Sequence, residues 1–354
     1  MYADIPRIEL APGYSISHVI LGLWQLSGGH GPVDEDKVFE DIRRMVESGL
    51  TTIDCADIYT GVEELIGRFR SCFKSQFQSG ELPEIQIHTK YVPDLKALPS
   101  LSREYTEAVI DRSLLRLGVD CLDLVQFHWW DFDIPGHVEA VQLLVEAQEA
   151  GKIQHLAVTN YDAKHLEEIL KAGVRIVSNQ VQYSVLDRRP EEALVDLARE
   201  YGFRLLCYGT VAGGFLSDRY LKEDAPLEPL ENRSLTKYRL IIEEFGGWEL
   251  FQDLLNALKS TADRHGVKIA EAAIRYIMQR PAVAGVIVGA RSGEHLERLI
   301  RIYTFELDDE DLDMIDGVLS RAQGPEGPVF GLERNREGEH GRIMKYDLNK
   351  VELI

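Results

Sequence analysis

Three apolar runs in the N-terminal part of the chain each deliver a side chain that can hold or move charge. "TTIDC" (51–55) carries Asp54, "IQIHTK" (85–90) ends in Lys90, and "LDLVQFH" (122–128) ends in His128. Tyr59 follows Asp54 by five positions, just before Gly61 and an acidic helical start. A free phenol titrates near 10 and responds poorly at neutral pH, but an ammonium within about 4–6 Å favours the phenolate and lowers that value. Asp54 is placed to keep Lys90 charged and oriented, and a buried ion pair of this kind makes sense only if it has a task. His128 is expected to donate a hydrogen bond to a substrate oxygen beside the Tyr59 hydroxyl. The set then amounts to a proton donor and an oxyanion-stabilising donor aimed at a carbonyl.

Singly, these residues have ordinary readings. An aspartate at a strand end commonly caps or turns the chain, and a lone tyrosine commonly packs. His128, followed by Trp129 and Trp130, has the composition of a satisfied structural histidine. Joint placement is the signal. Parallel strands lie about 4.8 Å apart, and in a barrel they point their C-terminal ends at one face, so three successive strand ends converge there.

The rest of the chain reads as the scaffold such a face requires. Further strand candidates are 18–24, 153–158, 176–182, 203–209 and 284–289. Amphipathic helical patterns lie between the strands, at 38–49, 105–118, 138–151 and 190–202. The first of these sets Val38, Ile42, Met45 and Val46 on one face, and several end in glycine, as a helix C-cap does. Eight apolar strands, each followed by a helix, predict an α/β fold, a (β/α)8 TIM barrel. No G-x-G-x-x-G follows the first strand, which argues against an open Rossmann sheet. The expected organisation is one barrel domain over 1–322 and a tail at 323–354. Residues 210–248 read as a long connection, followed by an extra helix at 248–266. Long insertions at βα junctions lie over the catalytic face of a barrel, so this connection and the tail are candidates for substrate-side loops. Disorder is the alternative for the tail.

Bulk properties narrow the function classes. The 354 residues carry 39 basic against 59 acidic groups, a formal net charge of −20, which disfavours nucleic acid and anionic membrane as partners. No signal pattern opens the chain and no apolar run reaches transmembrane length, so a cytoplasmic protein is expected. The cysteines, Cys55, Cys72, Cys121 and Cys207, have no metal-site spacing, and no metal is expected.

From its first strand to the helix near residue 320, the chain resembles the aldo-keto reductase superfamily. That family's catalytic tetrad is aspartate, tyrosine, lysine and histidine. Asp54 and Tyr59 match its D-x-x-x-x-Y pair in "IDCADIY", Lys90 matches in "HTK", and His128 matches in "LVQFHWWD". The resemblance implies reduction of an aldehyde or ketone, with hydride from a nicotinamide cofactor and the proton from Tyr59. It implies that Thr159, Asn160 and Gln180 hold the nicotinamide carboxamide and that Tyr208 stacks on its ring. The loop from Gly209 through Val211 and Gly213 to Gly214 would lie against the pyrophosphate, with Gly22, Leu23, Trp24, Asp54 and Gly289 as further cofactor contacts. A proline common in that loop is Thr210 here. Arg291 and Ser292, at a helix start, suit a 2′-phosphate and make NADPH the expected cofactor over NADH. Arg298 and Leu299 stand where the family often has an acidic residue and an asparagine at the adenine. Trp24, Trp129 and Trp130, with Tyr59 and His128, are the expected substrate contacts. A non-catalytic NADP(H)-binding regulatory subunit on the same barrel is the alternative function, because the family includes potassium-channel β subunits. An aldolase using Lys90 as a Schiff base is a third.

Overall fold

An antiparallel hairpin, β1 (Arg7–Ala11) and β2 (Tyr14–Ser17), precedes the first expected strand and was not anticipated by the sequence pattern. Its turn needs the left-handed Gly13, at φ 75°. The structure is a computed structural model that describes residues 5–27, 34–191, 193–289 and 295–349.

Eight parallel strands then close into a barrel. They are β3 (Val19–Gly22), β4 (Thr52–Asp54), β5 (Gln86–Tyr91), β6 (Leu122–Phe127), β7 (Ile153–Thr159), β8 (Ser178–Gln182), β9 (Arg204–Tyr208) and β10 (Val283–Gly289). Neighbours follow chain order, and β10 pairs with β3 to complete the ring. The eight expected strands are these eight, with ends that differ by a residue or two: most are shorter, while β5, β7 and β10 each reach one residue beyond the expected range. They are apolar because both faces are covered, by the barrel interior on one side and helices on the other.

The helical layer begins with α1 (Glu35–Glu47), whose N-cap Asp34 accepts from the Lys37 amide and whose Val38, Ile42, Met45 and Val46 are buried. It continues through α2 (Val62–Cys72), α3 (Lys74–Ser79), α4 (Arg103–Leu117), α5 (His137–Glu149), α6 (Ala163–Lys171) and α7 (Ala193–Tyr201). One correction concerns 210–248. Its second half is a helix, α8 (Arg233–Phe245), capped by Asn232 and burying Leu235, Tyr238, Ile241, Ile242 and Phe245. The expected extra helix follows as α9 (Gly247–His265), with Trp248 packed on Phe215, Tyr220 and Phe251. After α10 (Ile269–Met278), the last strand leads to α11 (Leu296–Arg301) and α12 (Asp309–Leu319).

Beyond α12 the chain returns across the C-terminal face of the barrel. It forms two short turns of helix, α13 (Gly331–Arg334) and α14 (Glu339–Arg342). Glu333 is buried between Arg189 and Lys237, at 3.6 Å and 3.4 Å. At the far end the Asn349 amide donates to Asp94 Oδ1 at 2.8 Å, and its side chain donates to Asp57 Oδ2 at 2.8 Å. Both anchors are polar and long-range, and between them the tail spans the mouth of the barrel.

Candidate active site

Strand register sets the tetrad. Asp54 ends β4 opposite Gly22 of β3 and His88 of β5. Lys90 lies two residues past His88, so the strand's period of two sends both side chains to the same side. Lys90 Nζ donates to Asp54 Oδ2 at 2.7 Å and to the Cys55 carbonyl at 2.8 Å. Asp54 Oδ1 accepts from Gln126 Nε2 at 2.9 Å and Gln180 Nε2 at 2.6 Å. Gln180 also donates to Gln126 Oε1 at 2.7 Å. Three side-chain donors thus fix the carboxylate, and all four residues are buried. Gln126 was not singled out in the sequence, although it lies two positions before His128 on the same strand.

Tyr59 completes the group from the loop after β4. Lys90 Nζ lies 4.9 Å from its ring centroid, and the Trp24 ring lies 4.9 Å away in an edge arrangement. Burial works against the Lys90 ammonium, but Asp54 and Tyr59 more than offset it and raise its pKa. For Tyr59 the balance differs from expectation. Burial raises the phenol, and the Lys90 charge pulls it down by less, so the net direction is upward. The sign of the Lys90 effect is as expected; the net lowering is not found, because the sequence does not show how dry the site is. A phenol held protonated suits a proton donor.

His128 is also corrected in one respect. Its Nδ1 lies 3.1 Å from the Thr159 carbonyl, which can only accept, so Nδ1 carries the proton. Burial first, then the charges of Arg334 and Lys90, lower its pKa to about 3. In the neutral ring Nε2 therefore presents a lone pair. It is buried and has no hydrogen-bond partner among the described residues. The expected donor to a substrate oxygen would have to be an imidazolium, which this environment opposes.

A cavity of about 820 Å³ runs from the tetrad along the C-terminal face. All four tetrad residues line it, as do Trp24 and Trp130. Gly22, Thr159, Asn160 and Gln180 border its middle, followed by Tyr208, Gly209, Val211 and Gly213. Gly289 and Arg298 border the β10 end. Asn160 adopts φ 62° and accepts the Tyr208 hydroxyl on Oδ1 at 2.8 Å, which locks the aromatic face. The glycines after β9 have a packing reason too: a Cβ on Gly209 would meet the Tyr238 hydroxyl at 2.4 Å, and one on Gly213 would meet that ring at 2.8 Å.

Two expected contacts are absent from the lining. Trp129 is fully buried against the helical layer, with its indole N–H donated to the Ile134 carbonyl at 3.0 Å. Consecutive residues at a strand end face opposite ways, so only Trp130 reaches the cavity, 4.4 Å from the His128 ring. Leu23 packs in the core, and its amide donates to the Asp54 carbonyl at 3.1 Å. Arg291 and Ser292 lie outside the described residues. Sequence reasoning missed Arg233, Ser234 and Lys237 on α8, and Phe330, Met344 and Leu348 on the tail, all of which line the cavity. The helical period of α8 was the available signal; the tail offered none.

Comparison with known proteins identifies the framework. The model of the aldo/keto reductase family matches residues 18–320. The chain belongs to the aldo/keto reductase family. Aldo-keto reductase YhdN of Bacillus subtilis is 27% identical over 336 residues, covering 92% of this chain and 97% of that protein. The NADH-specific methylglyoxal reductase of Escherichia coli is 24% identical, covering 85% and 94%. Among solved structures, a glycerol dehydrogenase from Gluconobacter oxydans superposes with a TM-score of 0.74 at 21% identity, covering 92% of this chain and 97% of its own, which supports the barrel fold.

As an aldo/keto reductase the protein is an oxidoreductase of carbonyl compounds, in a family that uses nicotinamide cofactors. Its own residues fit such a group. Thr159 and Asn160 line the cavity beside the locked Tyr208, and Arg233 and Arg298 add positive charge to it for phosphates, whereas the Gln180 amide donates to Asp54 and Gln126 and Lys237 is paired with Glu333. Among the described residues no helix is long and apolar enough to cross a membrane.

Proposed function

We infer that the protein reduces an aldehyde or ketone to an alcohol with NADPH, Tyr59 supplying the proton. The observation that carries this reading is the Asp54–Lys90 pair set beside the Tyr59 ring in the wall of the cavity. When bound there, a nicotinamide would supply hydride chemistry. Tyr59, protonated at neutral pH, gives its proton to the carbonyl oxygen. Lys90 stabilises the phenolate left behind, and Asp54, gripped by Gln126 and Gln180, keeps Lys90 in place. His128 shapes the wall beside the reacting oxygen. Its Nε2 can accept a hydrogen bond from the product hydroxyl.

Trp24, Ile58, Val92 and Trp130 border the tetrad end, with Phe330 and Leu348 from the tail. Such a lining favours a carbonyl carried on an apolar or planar body, and makes the tail the substrate-side wall of the barrel domain. NADPH is favoured over NADH by Arg298 and by Arg291. Steady-state reduction of defined aromatic and aliphatic aldehydes, with NADPH and NADH compared, tests the reading. Tight nucleotide binding without turnover of any carbonyl would shift the assignment to a regulatory nucleotide-binding subunit. The absence of nucleotide binding would remove both.

A further inference from the structure

The tail brings a second cation to this site that the proposed chemistry leaves unused. Arg334, at the end of α13, sits behind His128. One terminal nitrogen donates to two main-chain carbonyls, Trp129 at 3.1 Å and Asn160 at 2.8 Å. The other donates to the Val329 carbonyl at 3.4 Å. The guanidinium lies 4.2 Å from the Phe132 centroid and 5.2 Å from that of Phe330. Its Nε is buried without a hydrogen-bond partner, and no carboxylate among the described residues forms an ion pair with it. A largely buried charge bonded only to carbonyls is a costly way to anchor a tail.

Those carbonyls flank the ones that set the site. Trp129 directly follows His128. Asn160 directly follows Thr159, whose own carbonyl accepts a hydrogen bond from the His128 Nδ1–H. Asn160 in turn holds the Tyr208 hydroxyl. The same tail segment sets Phe330 edge-on to the His128 ring, with centroids 5.5 Å apart and planes at 87°.

We propose that Arg334 is a positioning residue of the active site, tying the strand end that carries His128 to the strand end that carries Thr159 and Asn160. It thereby fixes the His128 ring with its proton on Nδ1. An arginine suits the task because one arm of its planar fork serves both strand-end carbonyls while the other reaches the Val329 carbonyl, which fixes the group's plane as a point-charge ammonium would not. The surrounding charges agree with the arrangement. His128 faces Lys90 of β5 as well as Arg334, and both disfavour an imidazolium. Arg334 faces Asp162 and Tyr161 after β7, Glu333 on its own helix, and Tyr208 of β9; burial lowers it to about 10, so it stays charged at neutral pH.

The kinetic consequence rests on the reductase reading; the structural one does not. The test measures carbonyl reduction and the ¹⁵N resonances of the His128 ring at neutral pH in the full chain, for the native protein, Arg334→Gln and Arg334→Lys. His128 resonances are assigned by comparison with His128→Asn. The native ring is expected to show a protonated Nδ1 and a lone pair on Nε2. Arg334→Gln is expected to mix the two tautomers and to lower kcat by roughly 10- to 100-fold with KM within a few-fold, the size of a misplaced catalytic group. Arg334→Lys is expected to recover part of both. Native kcat together with an unchanged His128 tautomer in Arg334→Gln overturns the proposal. If Arg334→Gln does not fold, Arg334→Lys decides by the same two readouts. A native protein that reduces no carbonyl, yet whose His128 tautomer depends on Arg334, overturns the reductase reading alone.

Discussion

The two mouths of the barrel carry the same pair of residue types with opposite consequences. At the N-terminal mouth, the hairpin inserts Tyr14, whose hydroxyl lies 3.1 Å from His88 Nε2, with the His155 ring tilted against it at a centroid distance of 4.4 Å. Leu10, Ile16, Ile20, Leu124 and Leu206 seal this end as a second apolar cluster. At the C-terminal mouth, Tyr59 and His128 border the large cavity, and Lys90 and Asp54 place a fixed ion pair beside them. Burial raises both phenols and lowers both imidazoles, His88 to about 4 and His128 to about 3. Burial therefore does not distinguish the reactive end. A nearby ammonium and an open cavity do, because they let charge develop on an oxygen without water. The lower tyrosine and histidine bond to each other, with His88 Nδ1 left buried and without a partner among the described residues; the upper pair does not bond to each other and faces a space that a substrate can fill.

The sharpest way to break this contrast is to delete one hydroxyl at the upper end. Tyr59→Phe is expected to lower carbonyl reduction by roughly 10²–10⁴-fold, the worth of a positioned proton donor, with nucleotide affinity within a few-fold. Near-native turnover, measured against the same aldehydes, would take Tyr59 out of the mechanism. The next change removes the charge that only the upper end has. Lys90→Met is expected to lose most activity and to destabilise the fold by about 3–5 kcal/mol, because Asp54 is left as an unpaired buried charge. It should also move the basic limb of the pH–rate profile upward, since Lys90 pulls the Tyr59 phenol down and its removal leaves burial unopposed. A profile that superposes on the native one would separate Lys90 from Tyr59.

A smaller effect is expected along the upper face, at the β10 end of the cavity. Arg298→Ala is expected to weaken NADPH by about tenfold and NADH by less, as for the loss of one charge-assisted contact near 1.5 kcal/mol. Equal losses for the two nucleotides, in fluorescence titrations, would remove Arg298 from the choice of cofactor. The smallest kinetic effect belongs to the lower mouth. Tyr14→Phe is expected to leave kcat and KM within about twofold while costing about 1 kcal/mol of stability in urea titration, for one lost buried hydrogen bond. A large kinetic loss there would erase the distinction between the two ends.

Much of this contrast was legible before any fold was known. Strands covered on both sides must be apolar, so a polar residue can be tolerated at their C-terminal ends, and Asp54, Lys90 and His128 stand out against Ile53, Ile87 and Phe127 for that reason. Tyr59 followed from its place in the loop after Asp54 and from the D-x-x-x-x-Y match that the family resemblance supplies. The amphipathic face of α1 was equally readable, because local periodicity reports burial directly. The hairpin and α8 were missed. The hairpin's short strands contain too few alternating positions, and α8 intersperses Arg, Lys and Glu among its buried residues within a stretch that otherwise reads as loop.

The sequence by itself determined the barrel, the order of its strands and the four residues brought to one patch, since all of these depend on local pattern and on the geometry of parallel strands. Tertiary structure decided the rest. It sent Trp129 into the helical layer and Trp130 to the cavity, although the two are adjacent and identical in type. It raised the Tyr59 phenol despite Lys90, because desolvation depends on every neighbouring wall. It assigned the His128 proton to Nδ1 through a carbonyl on the next strand. And it folded a tail with little periodicity over the site through Glu333, Arg334 and Asn349, whose partners lie far away in the chain. Contacts of that kind leave no local period, so they exist only once the barrel has closed.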